Sequence, residues 1–232
     1  DLSLDFEPDT FGHSWNVPEI LNKSGVKYYY HHRAYDGYHV YRWQSQSKAE
    51  VIVFRDPKGY NATVSTEHIP FSVQFCNDAS IKDMLYVYGV GDHGGGPTRR
   101  DIERLLDMMT WPVAPVIKFS TYGEFYSRLE AVRDSLPVVN QELNFVFTGC
   151  YTSQSRIKMS NRISEDRLYD SEAIAAGAAV FAGGKDYRSS FTAAWEKTLF
   201  NQFHDILPGS GIIETREYAL GEFQKTMAIA NT

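Results

Sequence analysis

Short runs of consecutive apolar or aromatic residues recur through the first part of the chain, at positions 28–30, 51–54, 84–88 and 113–119. Such runs predict strands. Residues 98–109 and 122–135 mix charged and apolar positions at helical spacing, so strand, loop and helix alternate as they do in an α/β domain. After Pro137 the pattern changes. One more strand-like run, 143–147, precedes residues 152–180, where a helical period persists until Gly183 and Gly184 interrupt it. Residues 190–207 read as a second helix stopped by Pro208 and Gly209, with Trp195, Leu199, Phe203 and Ile206 spaced to face a core, and residues 215–229 read as a third. The change of pattern places a domain boundary near Pro137, with an α/β segment over 1–136 and a helical segment over 137–232.

Composition narrows the function classes. A chain of 232 residues can bury roughly 70% of its unfolded surface, and 43% hydrophobic with 22% charged residues excludes disorder, collagen-like repeats and coiled coil. No run of 18 apolar residues occurs, which excludes a spanning helix, and the opening DLSLDFEPD lacks the basic start and apolar stretch expected of a secretory leader. With 23 basic against 29 acidic side chains the net charge is −6, so neither nucleic acid nor an anionic membrane is an expected partner. Cys76 and Cys150 make no disulfide framework and no thiolate metal site, which points to a reducing compartment. The aromatic fraction of 14% includes 15 Tyr and 4 Trp, whose flat faces and single polar handles suit sugar rings and equally fill cores.

Three segments concentrate reactive groups. Pro8-Asp9-Thr10-Phe11-Gly12-His13-Ser14 is turn-rich and precedes a helix-like stretch at 17–22; Asp9 there is either a turn or helix cap, or an acid presented at a strand end. Residues 88–98 carry Gly89, Gly91 and Gly94 in G-x-G-x-x-G order, so a dinucleotide loop of a nicotinamide-dependent oxidoreductase is one reading. Against it, Asp92 would face pyrophosphate, and the next strand-like run offers no acid for a ribose hydroxyl. A backbone approaching a neutral polyol, with Asp92 and His93 aimed into the site, fits better, and a loop shaped only to turn is the remaining alternative. In residues 194–210, His204 and Asp205 fall on the last helical turn before Pro208. That imidazole is either a packed helix residue or a metal ligand, and the neighbouring carboxylate can bind sugar hydroxyls.

In this order, the segments PDTFGHSWNVPEILNKSG, YYYHHR, GVGDHGGGPT, VIKFST, YTSQSRIKMSNRISE and NQFHDILPGS resemble glycoside hydrolase family 38, the zinc-dependent retaining α-mannosidases. The resemblance implies an α/β fold comprising the later part of a seven-stranded (β/α) barrel, followed by an α-helical bundle segment. It implies cleavage of α-mannosidic bonds through a covalent glycosyl-aspartate intermediate. Asp9 takes the place of the nucleophile and a zinc ligand, with Phe11 packing beside the sugar and Arg33 supporting the carboxylate or the substrate. Asp92 takes that of the general acid/base, His93 and Asp205 those of substrate contacts, and His204 that of a zinc ligand from the helical segment. Retaining chemistry needs two carboxylates roughly 5–5.5 Å apart, one attacking the anomeric carbon and one protonating the leaving oxygen. Asp92 is therefore expected to hold a proton as turnover begins while Asp9 stays ionised.

The chain departs from the family in one respect. None of its seven histidines has Asp two positions later, whereas a His-x-Asp pair supplies two further zinc ligands in the family. With Asp9 and His204 alone, the zinc site is expected to be incomplete and the isolated chain inactive. The chain is expected to be a piece of a longer polypeptide with an open barrel edge that favours self-association. Expected partners are a mannose-containing oligosaccharide or glycan and the remainder of that polypeptide, with no nucleic acid and no membrane. The GDHGGGPT form resembles the bacterial and cytosolic members, so a cytoplasmic location is expected. A non-catalytic carbohydrate-binding module, suggested by the aromatic content, stands as the alternative beside the oxidoreductase. Asn22-Lys23-Ser24 and Asn61-Ala62-Thr63 also match the three-residue glycosylation pattern, a match short enough to arise by chance.

Overall fold

Five strands, β1 (Leu4–Glu7), β2 (Tyr28–His31), β3 (Val40–Gln44), β4 (Glu50–Arg55) and β5 (Val138–Val139), form one sheet in the order β1-β2-β4-β3-β5. The computed structural model describes residues 2–92, 94–144 and 147–232. Strands β1, β2 and β4 run parallel, β3 lies antiparallel beside β4, and β5 runs parallel to β3. Glu7 pairs with His31 and His31 with Arg55, so the carboxyl ends of the three parallel strands finish level.

Alternation along the strands sorts the core into two faces. Tyr30, Val40, Ile52 and Phe54 pack with Phe75 of α2 (His68–Ala79) and with Phe125, Tyr126 and Leu129 of α4 (Tyr122–Glu130). On the opposite face, Tyr29, Tyr41, Trp43, Val51 and Val53 pack with Val17 and Leu21 of α1 (Val17–Lys23). Because both faces are covered, four consecutive residues of β4, Val51 to Phe54, are fully buried and the strand shows no polar alternation. The polar atoms of the buried aromatics are paired: Tyr126 Oη donates to the Tyr29 carbonyl at 2.6 Å, Tyr30 Oη to Asp56 at 2.7 Å, and Trp43 Nε1 to the Gln141 carbonyl at 2.9 Å. A buried hydroxyl or indole N–H without a partner would cost about 1–3 kcal/mol.

The expected strands at 84–88 and 113–119 do not form. Tyr86, Tyr88 and Ile117 instead pack, with Trp111, around Val64 and with Leu105 and Met108 of α3 (Arg99–Met108). The second run contains Pro115, which has no N–H for a ladder, and exposes Val113 and Val116. The sheet gains β1, β3 and β5 instead, so it is mixed rather than wholly parallel.

The chain divides into two compact units, Asp1–Val146 and Phe147–Thr232. Residues past Pro137 still serve the sheet: Val138 and Val139 pair with Arg42 and Trp43, and the His13 and Leu143 main chains exchange hydrogen bonds of 2.6 and 3.0 Å. The second unit holds α5 (Ser155–Ala182), α6 (Arg188–Phe200) and α7 (Ile213–Ala230), which pack pairwise. Helix α5 ends at Gly183 in a left-handed conformation, as the glycine pair predicts. Helix α6 stops at Phe200, seven residues before the expected end. It buries Phe191, Ala194 and Thr198 and leaves Leu199 more than half exposed, as is Phe203 beyond its end. A polar tie decides this register, since Nδ2 of buried Asn201 donates to the Ala219 carbonyl at 3.0 Å. Among the described residues no helix is long and apolar enough to cross a membrane.

Two histidines lie inside the first unit's second core face. His13 is 3% exposed with Nδ1 at 2.6 Å from Tyr29 Oη, and His31 is fully buried. Burial lowers the His13 pKa to about 4 and that of His31 well below the usual imidazole value. Unfolded imidazoles titrate near 6.5, so as the pH falls from there the unfolded chain takes up protons that the folded chain refuses. Stability is therefore fully present above about pH 6.5 and is lost toward pH 4, by about 3 kcal/mol for His13 alone. Asp5, pushed up to about 6 by burial and by Glu7, opposes this but does so equally in any His13 variant. His13→Asn should flatten the melting-temperature profile between pH 6.5 and 4 relative to the parent chain; parallel profiles would contradict the assignment.

Candidate active site

Each level strand end is followed by a side chain with chemistry. Asp9 stands two residues beyond β1, Arg33 two beyond β2, and Tyr60 and Asn61 five and six beyond β4. Parallel strands direct all their carboxyl ends to one edge, which brings loops distant in sequence together.

The guanidinium of Arg33 donates through Nε to Asp9 Oδ1, in an ion pair whose side chains are 34% and 14% exposed. Burial alone would weaken the arginine's charge, but Asp9 and Tyr60 outweigh it and hold the group cationic. The Tyr60 hydroxyl hydrogen-bonds both Asp9 and Asp92, donating to Asp92 Oδ2 at 3.3 Å. Burial, and then the negative charge of both carboxylates, keeps that hydroxyl protonated far above the ordinary range for tyrosine. One phenol O–H thus lies against two acids that are 83 positions apart in the chain.

Asn61 holds Asp92 from both sides of its amide. Its Oδ1 accepts from the Asp92 main-chain N–H at 3.0 Å, and its Nδ2 donates to Asp92 Oδ2 at 3.2 Å. A Cβ on Gly91 would overlap the Asn61 amide, and Gly91 has φ +57°, so this glycine is required by the docking of Asn61 as well as by the backbone turn. The turn carrying Tyr60 and Asn61 is anchored by Asp56, which is 2% exposed. Asp56 accepts from the main chains of Lys58 and Gly59 at 2.8 and 3.0 Å and from Tyr30 Oη in the core. Burial raises the Asp56 pKa, with these donors pulling the other way. The far end of the glycine loop is secured by a capping box on α3, in which Thr98 caps the Asp101 N–H and Asp101 caps that of Thr98.

The fold therefore brings Asp9, Arg33 and Asp92 into one cluster. Phe11 is half-buried on the bend two residues after Asp9, and His93 lies outside the described residues. No strand leads into Asp92 among the described residues; Asn61 places it instead of the expected strand end. His204 and Asp205 belong to the second unit and sit on the turn beyond α6 rather than in its last helical turn. Nε2 of His204 is 3.8 Å from Asp205, and its ring lies 4.3 Å from that of Phe203. Tyr60 and Asn61 escaped sequence reading. Their signal was the Lys58-Gly59 turn directly after a strand, with Asn61 visible only as part of a glycosylation pattern.

Among the described residues, no three of His, Cys, Asp and Glu come together as a metal-ligand set. The Asp9 carboxylate is engaged by Arg33 and Tyr60. Among the described residues, the groups gathered at Asp9 do not supply four protein ligands for a zinc ion. The dinucleotide loop loses its context as well: Gly89 follows no strand among the described residues, α3 starts five residues after Gly94, and Asn61 occupies the space at Gly91.

Comparison with known proteins places both parts of the chain in one family. Residues 3–146 match the glycosyl hydrolases family 38 N-terminal domain, and residues 146–232 match the alpha mannosidase middle domain. Alpha-mannosidase G of Dictyostelium discoideum is 31% identical over 217 residues, covering 89% of this chain and 20% of that protein. Alpha-mannosidase 2C1 of Homo sapiens is 27% identical over 235 residues, covering 97% and 23%. The chain thus spans about a fifth of the length of the curated relatives it matches. The crystal structure of an alpha-mannosidase from Enterococcus faecalis shares the fold with a TM-score of 0.79 at 18% identity, over 99% of this chain and 28% of that one. With one family domain matched across each compact unit, the chain belongs to glycosyl hydrolase family 38.

Proposed function

We propose that this chain supplies the two carboxylates of an α-mannosidase that cleaves α-linked mannose with retention. The observation that carries the reading is the Tyr60 hydroxyl hydrogen-bonded to both Asp9 and Asp92, because retaining cleavage requires two carboxyl groups close together. An Asp9 oxygen bonds to the anomeric carbon as the glycosidic C–O bond breaks. The released electron pair stays on the leaving oxygen, which takes the Asp92 proton. Water then attacks the glycosyl-aspartate, Asp92 accepts its proton, and Asp9 departs as carboxylate. Arg33 sets its positive charge against the Asp9 carboxylate. The Tyr60 hydroxyl has one proton to donate and lies within reach of both acids, so it can follow the negative charge as this passes between them during turnover.

Phe11, His93 and Asp205 are assigned to contacts with the sugar. The substrate is a mannose-containing oligosaccharide or glycan, and the remainder of a longer polypeptide completes the site. The mixed sheet is assigned to the later part of a seven-stranded (β/α) barrel, the three helices to a helical bundle segment, and the location to the cytoplasm. Asp9 and His204 offer too few donors for zinc by themselves, and no step above uses a metal.

Kinetics in the complete polypeptide that carries this chain test the roles. With an aryl α-mannoside, Asp9→Ala and Asp92→Ala should each lower kcat on the order of 10³-fold or more. Azide should restore turnover in both variants. It should give the α-mannosyl azide with Asp92→Ala, where the covalent intermediate still forms, and the β-azide with Asp9→Ala. A β-anomer as the first-formed product of the parent enzyme, seen by proton NMR, would remove the retaining mechanism. Asn61→Ala should lower kcat on the order of 10- to 100-fold with little change in KM, since it releases the proton donor and not the sugar; an unchanged kcat would mean that Asn61 does not position Asp92.

A further inference from the structure

We propose that His31 is a positioning residue: by holding the main-chain carbonyl of Arg33 it sets the guanidinium on Asp9. This rests on the α-mannosidase reading and adds a residue to its machinery that does not touch the substrate. His31 is the last residue of β2 and has no exposed surface. Its Nδ1 lies 2.7 Å from the Arg33 carbonyl oxygen and its Nε2 lies 2.8 Å from Tyr41 Oη on β3. A carbonyl oxygen can only accept, so Nδ1 carries the ring proton. Burial disfavours a second proton, so Nε2 accepts from the Tyr41 hydroxyl. Both nitrogens are committed, and turning the ring over would replace two hydrogen bonds with carbon atoms. The rings of His13 and Tyr29, at 5.1 and 5.9 Å, pack against the imidazole.

A second observation lies one residue beyond Arg33. Ala34 has φ +75° and is 1% exposed. A left-handed conformation costs an L-residue on the order of 1–2 kcal/mol and persists only where the surroundings over-determine it. The His31 N–H acts on the carbonyl of the peptide group that joins Arg33 to Ala34, so it holds the strained step directly. The chain turns sharply at the strand end while the Arg33 side chain remains on Asp9. A relay of Tyr41, His31, Arg33 and Asp9 thus runs from the antiparallel strand to the proposed nucleophile.

A double-mutant cycle in the complete polypeptide tests this. His31→Asn keeps an amide N–H near the position of Nδ1, whereas His31→Gln moves it along the side chain. Expected with an aryl α-mannoside is a kcat loss on the order of 10- to 100-fold for His31→Gln with KM little changed, most of it recovered in His31→Asn. In an Arg33→Ala background His31→Gln should add no further loss. Losses that multiply, or equal impairment of the Asn and Gln variants, would reduce His31 to a core residue. If His31→Gln does not fold, Tyr41→Phe, which keeps the ring volume, takes its place in the cycle with a smaller expected loss. Should the parent polypeptide lack mannosidase activity, the functional reading fails and the positioning role is read separately by NMR. The Arg33 Nε–H resonance, displaced by pairing with Asp9, should persist in His31→Asn and be lost in His31→Gln, and persistence in both would overturn the inference.

Discussion

The parallel register of β1, β2 and β4 is the constraint on which the rest of the first unit depends. Glu7, His31 and Arg55 stand side by side because the ladder pairs them, and the following loops must leave the sheet at one edge. A slip of one residue in β2 would turn Tyr29 and His31 to the α4 side and Tyr30 away from it. Two filled core faces resist such a slip, one holding Tyr30 with Phe54 and the other Tyr29 with Trp43. Packing on both sides of the sheet thus fixes where Asp9 and Arg33 begin.

Charge then decides how the loops close. Two carboxylates brought near one another repel unless cations or donors intervene. Here an arginine meets the first, an asparagine amide meets the second, and one tyrosine hydroxyl lies against both. The donors are arranged unequally: Asp9 faces a full positive charge in a half-buried position, whereas Asp92 is exposed and meets neutral donors. That asymmetry gives the two acids different electrostatic surroundings, as two different proposed roles would need.

The antiparallel strand β3 departs from a simple α/β alternation, and it supplies support to the site. Tyr41 reaches His31 from β3, and Trp43 on the same face donates to the Gln141 carbonyl, binding residues past Pro137 to the sheet. Asp56, at the end of β4, likewise links a core tyrosine to the turn that carries Tyr60 and Asn61. Reactive groups on loops are precise here because buried polar groups on strands hold those loops.

The sequence by itself determined the elements whose signal is local. The buried runs of β2 and β4, the helices α1, α3 and α5 and the glycine stop after α5 were all legible, since each depends on residues within a few positions, and Asp9, Arg33 and Asp92 stood out as candidates through their motifs. Apolar runs at 84–88 and 113–119 misled because hydrophobicity does not report ladder pairing; Tyr86, Tyr88 and Ile117 pack beside α3 without joining the sheet, and Val113 and Val116 are exposed. The end of α6 misled because Asn201 bonds to α7, which no local period records. Only the tertiary structure decided that Tyr60 lies between Asp9 and Asp92, that Asn61 fills the space left by Gly91, and that His31 holds Arg33. The physical reason is range: Tyr60 and Asn61 reach Asp92 across 32 and 31 positions of chain, and His31 is held on Arg33 by Tyr41 of another strand, so strand register and core packing create these contacts.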